Sequence, residues 1–335
     1  MSEDVKEAGI GTAQVSKSLM VFSGRSNPQL SQSIARALRC DLGNVETDSF
    51  ANGEIYARYK QSVRGADVFI IQSIASSNVG SVNDALMELL IMADAAKRAS
   101  ARSVTAVVTH FGYSRQDKKS AAREPITAKL VANMLTVAGV TRLITVDLHQ
   151  GQIQGFFDQP VNHLTALPIF ASYFLQKGLS NICVVSPDVG RAKAAKKLAD
   201  LLDADLAVMA KSRPGHNRAE ISTVIGDVNG KTCILNDDMI DTGGSITAGI
   251  TALKDKGAER VFISATHGLF SGQAYERIEK ADVEEVIVCD TVPVPDKHLT
   301  GKIRVVSVAP LLAQAIANVF NEASVSELFD PDFAL

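Results

Sequence analysis

Short apolar runs rich in β-branched residues alternate with segments of helical spacing along most of this chain of 335 residues. A strand, a helix and a second strand in succession form a βαβ unit, whose right-handed crossover makes the two strands parallel. The alternation therefore predicts an α/β fold of mostly parallel sheets flanked by helices. The predicted strands are residues 19–22, 68–72, 104–108, 143–146, 182–185, 206–210, 232–235, 261–265, 286–288 and 303–306. The predicted helices are residues 30–38, 85–98, 126–137, 192–202, 245–256 and 311–319.

The length of the chain exceeds one typical domain, so we expect two domains, each with its own core. Hydrophobic residues make up 46% of the chain but aromatic residues only 5%, which is usual for parallel sheets covered by helices. A faint repeat relates residues 139–149 to 257–267, since each has a glycine typical of a helix end and then a strand that ends in His. We predict a loose tail at 1–18 and two similar domains at 19–163 and 164–330.

Charge and apolar patterning argue against several classes of function. With a formal net charge of −3, the chain lacks the basic excess expected of a general nucleic-acid binder. No apolar run reaches roughly 18 residues and the N-terminus has no signal-like pattern, so we expect a soluble cytoplasmic protein with no membrane segment. The four cysteines lie far apart in sequence, and three are within apolar strand-like runs at 182–185, 232–235 and 286–289, which is typical of buried thiols in a reducing compartment.

The most informative chemistry lies where the predicted strand 232–235 ends. Asp237 and Asp238 follow it, and residues 241–245 (Asp-Thr-Gly-Gly-Ser) lead into a predicted helix. Ligands of open α/β sheets bind at the carboxyl ends of strands, and a helix N-terminus binds anions through its backbone N–H groups. Two adjacent buried carboxylates are costly without a cation or donors, which disfavours the alternative of an Asp-rich turn. We therefore predict a phosphorylated sugar, with the acids on its hydroxyls and a Mg²⁺ and the loop on its phosphate.

One cluster of basic residues is a candidate nucleotide site. It runs from Tyr113 to Pro125 and includes Arg115, Gln116 and Asp117, after a predicted strand and before a helix that Pro125 is well placed to start. Arg can bind phosphate or stack on a base, and a neighbouring Gln can bond the base edge. A solvated charged loop is the alternative.

A second basic cluster extends over residues 211–218. It leaves the predicted strand 206–210 and passes through Pro and Gly, which predicts a mobile loop. Basic side chains on such a loop, Lys211 and Arg213 among them, suit a lid that closes over transferring phosphates. A simple surface loop is the alternative.

Two further strand ends carry candidate metal ligands. The predicted strand 143–146 is followed by Asp147 and His149, and the strand 182–185 by Asp188. An imidazole and a carboxylate from two strand ends can share a Mg²⁺ that bridges nucleotide phosphates. His is an unusual ligand for this ion, so a hydrogen-bonding role for His149 is equally open. No Walker A sequence is present, and a bound nucleotide would need another kind of site.

Several longer runs occur together, at residues 27–28, 50–54, 113–117, 123–130, 147–149, 152–157, 186–188, 211–213 and 237–245. Together they resemble the ribose-phosphate diphosphokinase family, which makes phosphoribosyl diphosphate (PRPP), in its phosphate-dependent bacterial type. The run at 237–245 alone is compatible with any phosphoribosyltransferase. The runs at 115–117, 123–127 and 152–157 are far more specific to this family. The resemblance implies two tandem phosphoribosyltransferase type I domains related by a pseudo-dyad, with the active site at their junction, and a homohexamer.

The resemblance also implies a reaction and its site residues. The reaction is transfer of the β,γ-diphosphoryl group of ATP, with Mg²⁺, to the 1-hydroxyl of ribose 5-phosphate, which gives PRPP and AMP and supplies purine, pyrimidine, NAD, histidine and tryptophan synthesis. The implied ATP contacts are Arg115, Gln116 and Asp117 from the same subunit and Phe50, Asn52, Gly53 and Glu54 from a neighbouring one. The implied metal ligands are His149 and Asp188, and the implied catalytic pair is Lys211 and Arg213. The implied ribose 5-phosphate contacts are Arg213, then Asp237 and Asp238 for the hydroxyls, and Asp241, Thr242, Gly243, Gly244 and Ser245 for the 5-phosphate.

Two alternatives stay open at this point. A PRPP-consuming phosphoribosyltransferase shares the phosphate loop but has no need of the ATP-side runs. A non-catalytic regulatory homologue is disfavoured because Lys211 and Arg213 are both present. The chain also departs from the family's usual pattern, with Asn236 for an apolar residue, Ser245 for Thr, and Gly190-Arg191 where Gly-Gly is common.

Overall fold

The chain folds into alternating strands and helices, which a computed structural model describes for residues 17–212, 221–299 and 301–329. The strands are β1 Leu19–Ser23, β2 Val45–Ser49, β3 Ile55–Tyr59, β4 Asp67–Gln72, β5 Ser103–Val108, β6 Arg142–Val146, β7 Val161–Leu164, β8 Ile182–Ser186, β9 Asp205–Ser212, β10 Ile221–Ile225, β11 Thr232–Ile240, β12 Arg260–Gly268, β13 Glu285–Cys289 and β14 Ile303–Val306. The α-helices are α1 Pro28–Leu38, α2 Val82–Arg98, α3 Thr127–Ala138, α4 Leu167–Gln176, α5 Ala192–Leu201, α6 Gly244–Asp255, α7 Ala274–Lys280 and α8 Ala309–Phe320. Among these described helices, none combines the length and apolarity needed to cross a bilayer.

The first sheet contains five parallel strands in the order β1, β4, β5, β6, β7. Every residue of β4 is buried, as expected for a strand covered on both faces. One face packs against α2 and α3, in a core that includes Phe22 and Leu89. The strands β2 and β3 form a separate antiparallel hairpin.

The second sheet contains seven strands in the order β10, β9, β8, β11, β12, β13, β14. All neighbouring pairs are parallel except β10 and β9, which are antiparallel. One face packs against α6 and α7, in a core that includes Leu253 and Ile278. Mostly parallel sheets flanked by helices are thus confirmed.

A shared layer of helices joins the two sheets. The helices α1, α4, α5 and α8 contribute to one continuous buried cluster that also contains residues of both sheets. For example, Phe174 of α4 packs edge to face on Phe262 of β12, with ring centroids 6.0 Å apart. Because apolar side chains from both sheets are removed from water in the same layer, this contact stabilises their mutual orientation.

The two sheets repeat one topology, but not in the register that the sequence repeat predicted. The strands β1, β4, β5, β6 and β7 lie in the same order as β8, β11, β12, β13 and β14, and each set is interrupted by a hairpin after its first strand. The predicted repeat aligned β6 with β12 and is wrong, since β6 corresponds to β13. The matching pair is β5 with β12, and each is associated with a Thr-His dipeptide, residues 109–110 and 266–267. The rings of His110 and His267 meet, with centroids 4.5 Å apart.

Several boundaries differ from the sequence predictions. The helix predicted over residues 126–137, directly after Pro125, begins at Thr127 and ends at Ala138. The predicted division after residue 163 would cut β7, whose last residue lies beyond it, and the domain limits stay a prediction. The strands β2, β3, β7 and β10 and the helices α4 and α7 are not among the predicted strands and helices. All four cysteines are unpaired, and Cys183, Cys233 and Cys289 are buried as expected.

Candidate active site

The two neighbouring acids lie where β11 continues past its neighbour β8. The pairing of β11 with β8 ends at Leu235, but the pairing with β12 continues to Ile240 opposite Gly268. Asp237 and Asp238 are therefore still within a strand, and the prediction that this strand ends at residue 235 is wrong. The physical reason is that β12 is equally long and offers backbone partners to the extra residues.

Burial and mutual repulsion set the charges of this pair of acids. The side chain of Asp238 is 3% exposed and that of Asp237 18%. Burial, together with the charge of Asp238, raises the pKa of Asp237 to about 7. Burial acts in the same direction on Asp238, but the hydrogen bond from His149 and the charge of Arg191 outweigh it and hold the pKa of Asp238 below its ordinary value. Near neutral pH the pair therefore has a fixed charge on Asp238 and a proton-sensitive one on Asp237.

His149 reaches these acids from the first sheet. It follows β6, and its Nδ1 lies 2.7 Å from Oδ2 of Asp238. This hydrogen bond raises the pKa of His149, although burial opposes the charged form. When neutral His149 donates Nδ1–H to the carboxylate, the lone pair of Nε2 is left for another partner, which is the usual arrangement of a metal-binding histidine.

Asp147, just before this histidine, fixes the position of the strand end. Its Oδ2 accepts hydrogen bonds from the backbone N–H of Ala166 at 2.9 Å and from the hydroxyl of Thr266 at 2.7 Å. Its carbonyl oxygen lies 3.0 Å from Nε2 of His267. These contacts tie the end of β6 to β12, and they hold His149 in place relative to the acids of the second sheet.

The second predicted metal ligand, Asp188, follows β8 and starts a short 3₁₀ turn, Val189–Arg191. Its Oδ1 accepts a hydrogen bond from the backbone N–H of Arg191 at 3.0 Å. Within the described ranges, no hydrogen bond or ion pair joins Asp188 to His149, and no group of three or more His, Cys, Asp or Glu side chains is arranged for a metal. Asp188 is an exposed carboxylate at a strand end, which fits Mg²⁺ because this ion takes most of its ligands from water and substrate.

The predicted phosphate loop leads directly into α6. Gly243 has a φ of +75°, and α6 begins at Gly244 with no side-chain cap from the described residues. The first-turn N–H groups, including that of the exposed Ser245, are therefore not occupied by a capping side chain, and the helix dipole favours an anion there. From α7, Arg277 donates to the carbonyl oxygen of Thr242 at 2.8 Å and supports the loop. This end of the cleft can hold a phosphate.

Arg115 connects the predicted nucleotide loop with the phosphate loop. Its Nη1 lies 2.8 Å from Oδ2 of Asp241. Beside it, Gln116 accepts through Oε1 a hydrogen bond from the first residue of α3 at 2.6 Å. The charge of Asp117 contributes to the raised pKa of His149. The structure thus brings loops from both sheets together in one cleft.

The other predicted ATP contacts, Phe50, Asn52, Gly53 and Glu54, form the turn of the β2–β3 hairpin. Phe50 is 57% exposed, Gly53 has a φ of +89°, and the side chain of Asn52 accepts from the N–H of Glu54 at 3.1 Å. In the part of the chain that the structure describes, no hydrogen bond or ion pair connects this turn with the acids or the phosphate loop. Its contribution to a neighbouring subunit stays a prediction.

Of the predicted catalytic pair, Lys211 lies in β9, and Arg213 lies outside the described residues. The strand was predicted to end at residue 210 but extends to Ser212. The extension pairs with β10, where Lys211 is opposite Ser222. Because β10 was not predicted, the sequence offered no partner for the last two residues of β9.

The contact of Arg191 with the two acids was not predicted from the sequence. Arg191 has Nε 3.4 Å from Oδ1 of Asp237 and Nη1 3.6 Å from Oδ1 of Asp238. Its side chain is 16% exposed, and Nε has no hydrogen-bond partner among the described residues. The available signal was its place three residues after Asp188 at a strand end, but a contact with another strand is not visible in local sequence.

The corresponding end of the first sheet has different chemistry. Gln72 and Ser73 stand at the end of β4, where β11 has the two acids. The next helix, α2, is capped by its own residues, since Ser81 accepts from the N–H of Asp84 and the Asp84 carboxylate accepts from the N–H of Ser81 at 2.8 Å. A cleft of about 550 Å³ at this end contains none of the predicted site residues. Among the described residues, the end of β11 therefore combines two acids with an uncapped helix N-terminus, and the end of β4 does not.

Comparisons with known proteins cover nearly the whole chain. A family model described as the N-terminal domain of ribose phosphate pyrophosphokinase matches residues 19–139, and one described as a phosphoribosyl synthetase-associated domain matches residues 214–330. A ribose-phosphate pyrophosphokinase from Clostridium perfringens is 49% identical and covers 94% of this chain and 98% of its own length. One from Bacillus cereus is 46% identical, with 96% and 100% covered.

A solved structure is similar over the same extent. The phosphoribosylpyrophosphate synthetase from Mycobacterium smegmatis aligns with a TM-score of 0.85 and 44% identity. The alignment covers 92% of this chain and 100% of that one. Both sheets and the layer of helices between them therefore have their counterpart in a single solved protein.

Proposed function

This chain belongs to the ribose-phosphate pyrophosphokinase family, and we propose that it transfers the β,γ-diphosphoryl group of ATP to the 1-hydroxyl of ribose 5-phosphate, giving PRPP and AMP. The observation that carries the proposal is the pair Asp237 and Asp238 on a strand end, followed by the uncapped N-terminus of α6 at Gly244. Carboxylates suit the hydroxyls of a ribose, and an open helix N-terminus suits its phosphate.

The sugar phosphate would lie across the end of β11. Asp238 is held by His149, and Oδ1 of Asp237 accepts the backbone N–H of Asp238 at 2.8 Å, so both carboxylates are oriented before a ligand arrives. The remaining carboxylate lone pairs accept hydrogen bonds from the ribose hydroxyls. Residues 241–245 would bind the 5-phosphate through backbone N–H groups and the hydroxyls of Thr242 and Ser245.

The nucleotide would lie on the side of the first sheet. Arg115 pairs with Asp241 in this structure and has the charge and the planar donor group to contact ATP phosphates or the adenine face. Gln116 and Asp117 follow it on the same loop. Phe50, Asn52, Gly53 and Glu54 would complete the base pocket from a neighbouring subunit, and a homohexamer is the assembly that we propose.

His149 and Asp188 would hold Mg²⁺ on the ATP phosphates. A bound Mg²⁺ would neutralise phosphate charge and orient the diphosphoryl group. The chain's own part is to keep Nδ1 of His149 on Asp238 and so to present Nε2, and to hold Asp188 at the end of β8.

Lys211 and Arg213 would supply positive charge to the transferring group. In the reaction the 1-hydroxyl oxygen bonds to the β-phosphorus while the bond from the β-phosphorus to the α-side bridging oxygen breaks, so charge moves to the AMP oxygen. A cation beside this oxygen binds this charge more strongly in the transition state than in the ground state. The reaction would take place in the cytoplasm, and PRPP would supply nucleotide, histidine and tryptophan synthesis.

Incubation with ATP, Mg²⁺ and ribose 5-phosphate tests the proposal. AMP and PRPP should appear in equal amounts. Formation of ADP, or no turnover by the well-folded protein, would contradict it. A PRPP-consuming phosphoribosyltransferase would instead release diphosphate from PRPP when a free nucleobase is supplied, and a regulatory homologue would turn over in neither assay.

A further inference from the structure

The guanidinium of Arg191 faces both acids of the sugar site. Arg191 ends the 3₁₀ turn before α5, and its backbone N–H is fixed by Asp188 at 3.0 Å. Its Nε lies 3.4 Å from Asp237 and its Nη1 3.6 Å from Asp238, with the side chain only 16% exposed. A single cation is therefore enclosed between two carboxylates that belong to another strand.

The two distances show that the guanidinium balances the charge of the acids without forming hydrogen bonds to them. Both exceed the usual hydrogen-bond distance of about 2.7–3.2 Å, and the buried Nε has no hydrogen-bond partner among the described residues. The contacts that do orient the acids come from elsewhere, from His149 on Asp238 and from the Asp238 N–H on Asp237. Arg191 therefore balances the negative charge of the acids without using their lone pairs for hydrogen bonds.

Two adjacent buried carboxylates need a nearby positive charge, and here the chain provides one. A guanidinium stays charged throughout the pH range in which proteins are folded, whereas His149 can lose its charge. At the other end of the sugar phosphate, the backbone N–H groups of α6 bind an anion without a metal. Neither end of this half-site therefore depends on a divalent cation.

We propose that Arg191 is a positioning residue that acts as a permanent counter-cation of Asp237 and Asp238, so that ribose 5-phosphate binds to this cleft without a metal ion. The proposal rests on the proposed function for the identity of the sugar. It separates the two substrates by their metal requirement: the sugar phosphate binds metal-free, and only the nucleotide needs Mg²⁺.

Calorimetric titration of the full chain with ribose 5-phosphate, once in EDTA and once in Mg²⁺, tests this. The wild-type dissociation constants in the two buffers should agree within about twofold. Arg191→Ala should weaken binding in EDTA by about tenfold or more, because the acids lose their counter-charge, and Mg²⁺ should restore part of the loss. Arg191→Lys should lie between the two, since an ammonium keeps the charge but loses the planar fork.

Arg260→Ala is the matched control. This arginine forms an ion pair with Glu284 at 3.3 Å at the beginning of β12, away from the strand ends that carry the site, and its loss should leave sugar binding unchanged. In steady-state assays, Arg191→Ala should raise KM for ribose 5-phosphate more than it lowers kcat. A purely structural role would not produce a defect that Mg²⁺ relieves.

Two results would overturn the proposal. One is a wild-type protein that binds ribose 5-phosphate only with Mg²⁺, and the other is an Arg191→Ala protein with wild-type affinity in EDTA. If Arg191→Ala does not fold, as judged by circular dichroism, Arg191→Lys decides on the same criterion. Failure of the proposed function looks different, because the wild-type protein would then bind no ribose 5-phosphate in either buffer and make no PRPP.

Discussion

Gly243 offers a sharp test of the phosphate loop, because Gly244 is its natural control. Gly243 has a φ of +75°, whereas Gly244 is the first residue of α6 and has no positive φ. A Cβ at Gly243 would lie 3.5 Å from Cα of Ala274, and a Cβ at Gly244 would lie 3.6 Å from the guanidinium of Arg277. Both are ordinary contacts, so alanine fits at either position and only the backbone conformation distinguishes them.

The expected difference in stability follows from this geometry. The left-handed conformation costs an alanine about 1–2 kcal/mol. Replacing glycine by alanine also restricts the unfolded chain, which stabilises the fold by about 0.4–1 kcal/mol at either position. This second effect cancels in the comparison, so Gly243→Ala should be less stable than Gly244→Ala by about 1–2 kcal/mol. Urea unfolding of the two variants side by side measures that difference.

Binding should follow the same order. If the strained loop relaxes in Gly243→Ala, its backbone N–H groups shift, and the loss of one hydrogen bond to a charged phosphate weakens ribose 5-phosphate binding about tenfold or more. Gly244→Ala keeps the loop conformation and should bind nearly as the wild-type protein does. Equal stability and equal affinity of the two variants would refute the assignment of the left-handed turn as the structure that opens the phosphate site.

Four further predictions concern the rest of the cleft. Lys211→Ala should lower turnover by about 10²–10³ with little change in ATP affinity, and near-normal turnover would show that it is not catalytic. Asp237→Asn keeps the size but removes the charge, so calorimetry should find ribose 5-phosphate binding weakened far more than ATP binding; equal losses would contradict the division of the site. Activity should fall as the pH drops through the raised pKa of His149, beginning above about 6.5, because an imidazolium cannot bind metal. The fall should be shallower in His149→Ala, where Asp237 still titrates but the imidazole is gone. An identical pH profile in the variant would exclude His149 as a metal ligand. If Asn52 and Glu54 serve a neighbour, activity should be lost as the oligomer dissociates on dilution, and sedimentation that shows a fully active monomer would argue against a shared site.

The local patterns predicted most of the fold. All ten predicted strands and all six predicted helices are present, because a buried β-branched run or an amphipathic helix carries its period within a few residues. The helix α4, Leu-Pro-Ile-Phe-Ala-Ser-Tyr-Phe-Leu-Gln, escaped prediction because it is apolar on nearly every side and shows no helical period. The strands β7 and β10 lie at the edges of their sheets, where burial on both faces is not required and a mixed sequence suffices.

In the candidate site, too, the local features were predictable from the sequence and the long-range contacts were not. The acids and the glycine loop are consecutive, so their sequence already predicts a strand end followed by a helix N-terminus. The contact of His149 with Asp238, by contrast, joins residues 89 apart, and that of Arg115 with Asp241 joins residues 126 apart. These contacts exist because two sheets meet through a shared layer of helices, and no window of sequence contains that information.

The two related strand ends differ in how their helix N-termini are satisfied, and this difference has an energetic meaning. At α2, the Asp84 carboxylate already occupies the electropositive helix end, so a phosphate there would meet a like charge. At α6 no side chain of the described residues caps the helix, and because the N-cap residue is Gly243 the unliganded protein lacks roughly a few tenths of a kcal/mol of capping stability. A phosphate can return that stability only at α6. The N-terminus of α6 therefore gains more from a bound phosphate than the N-terminus of α2 does.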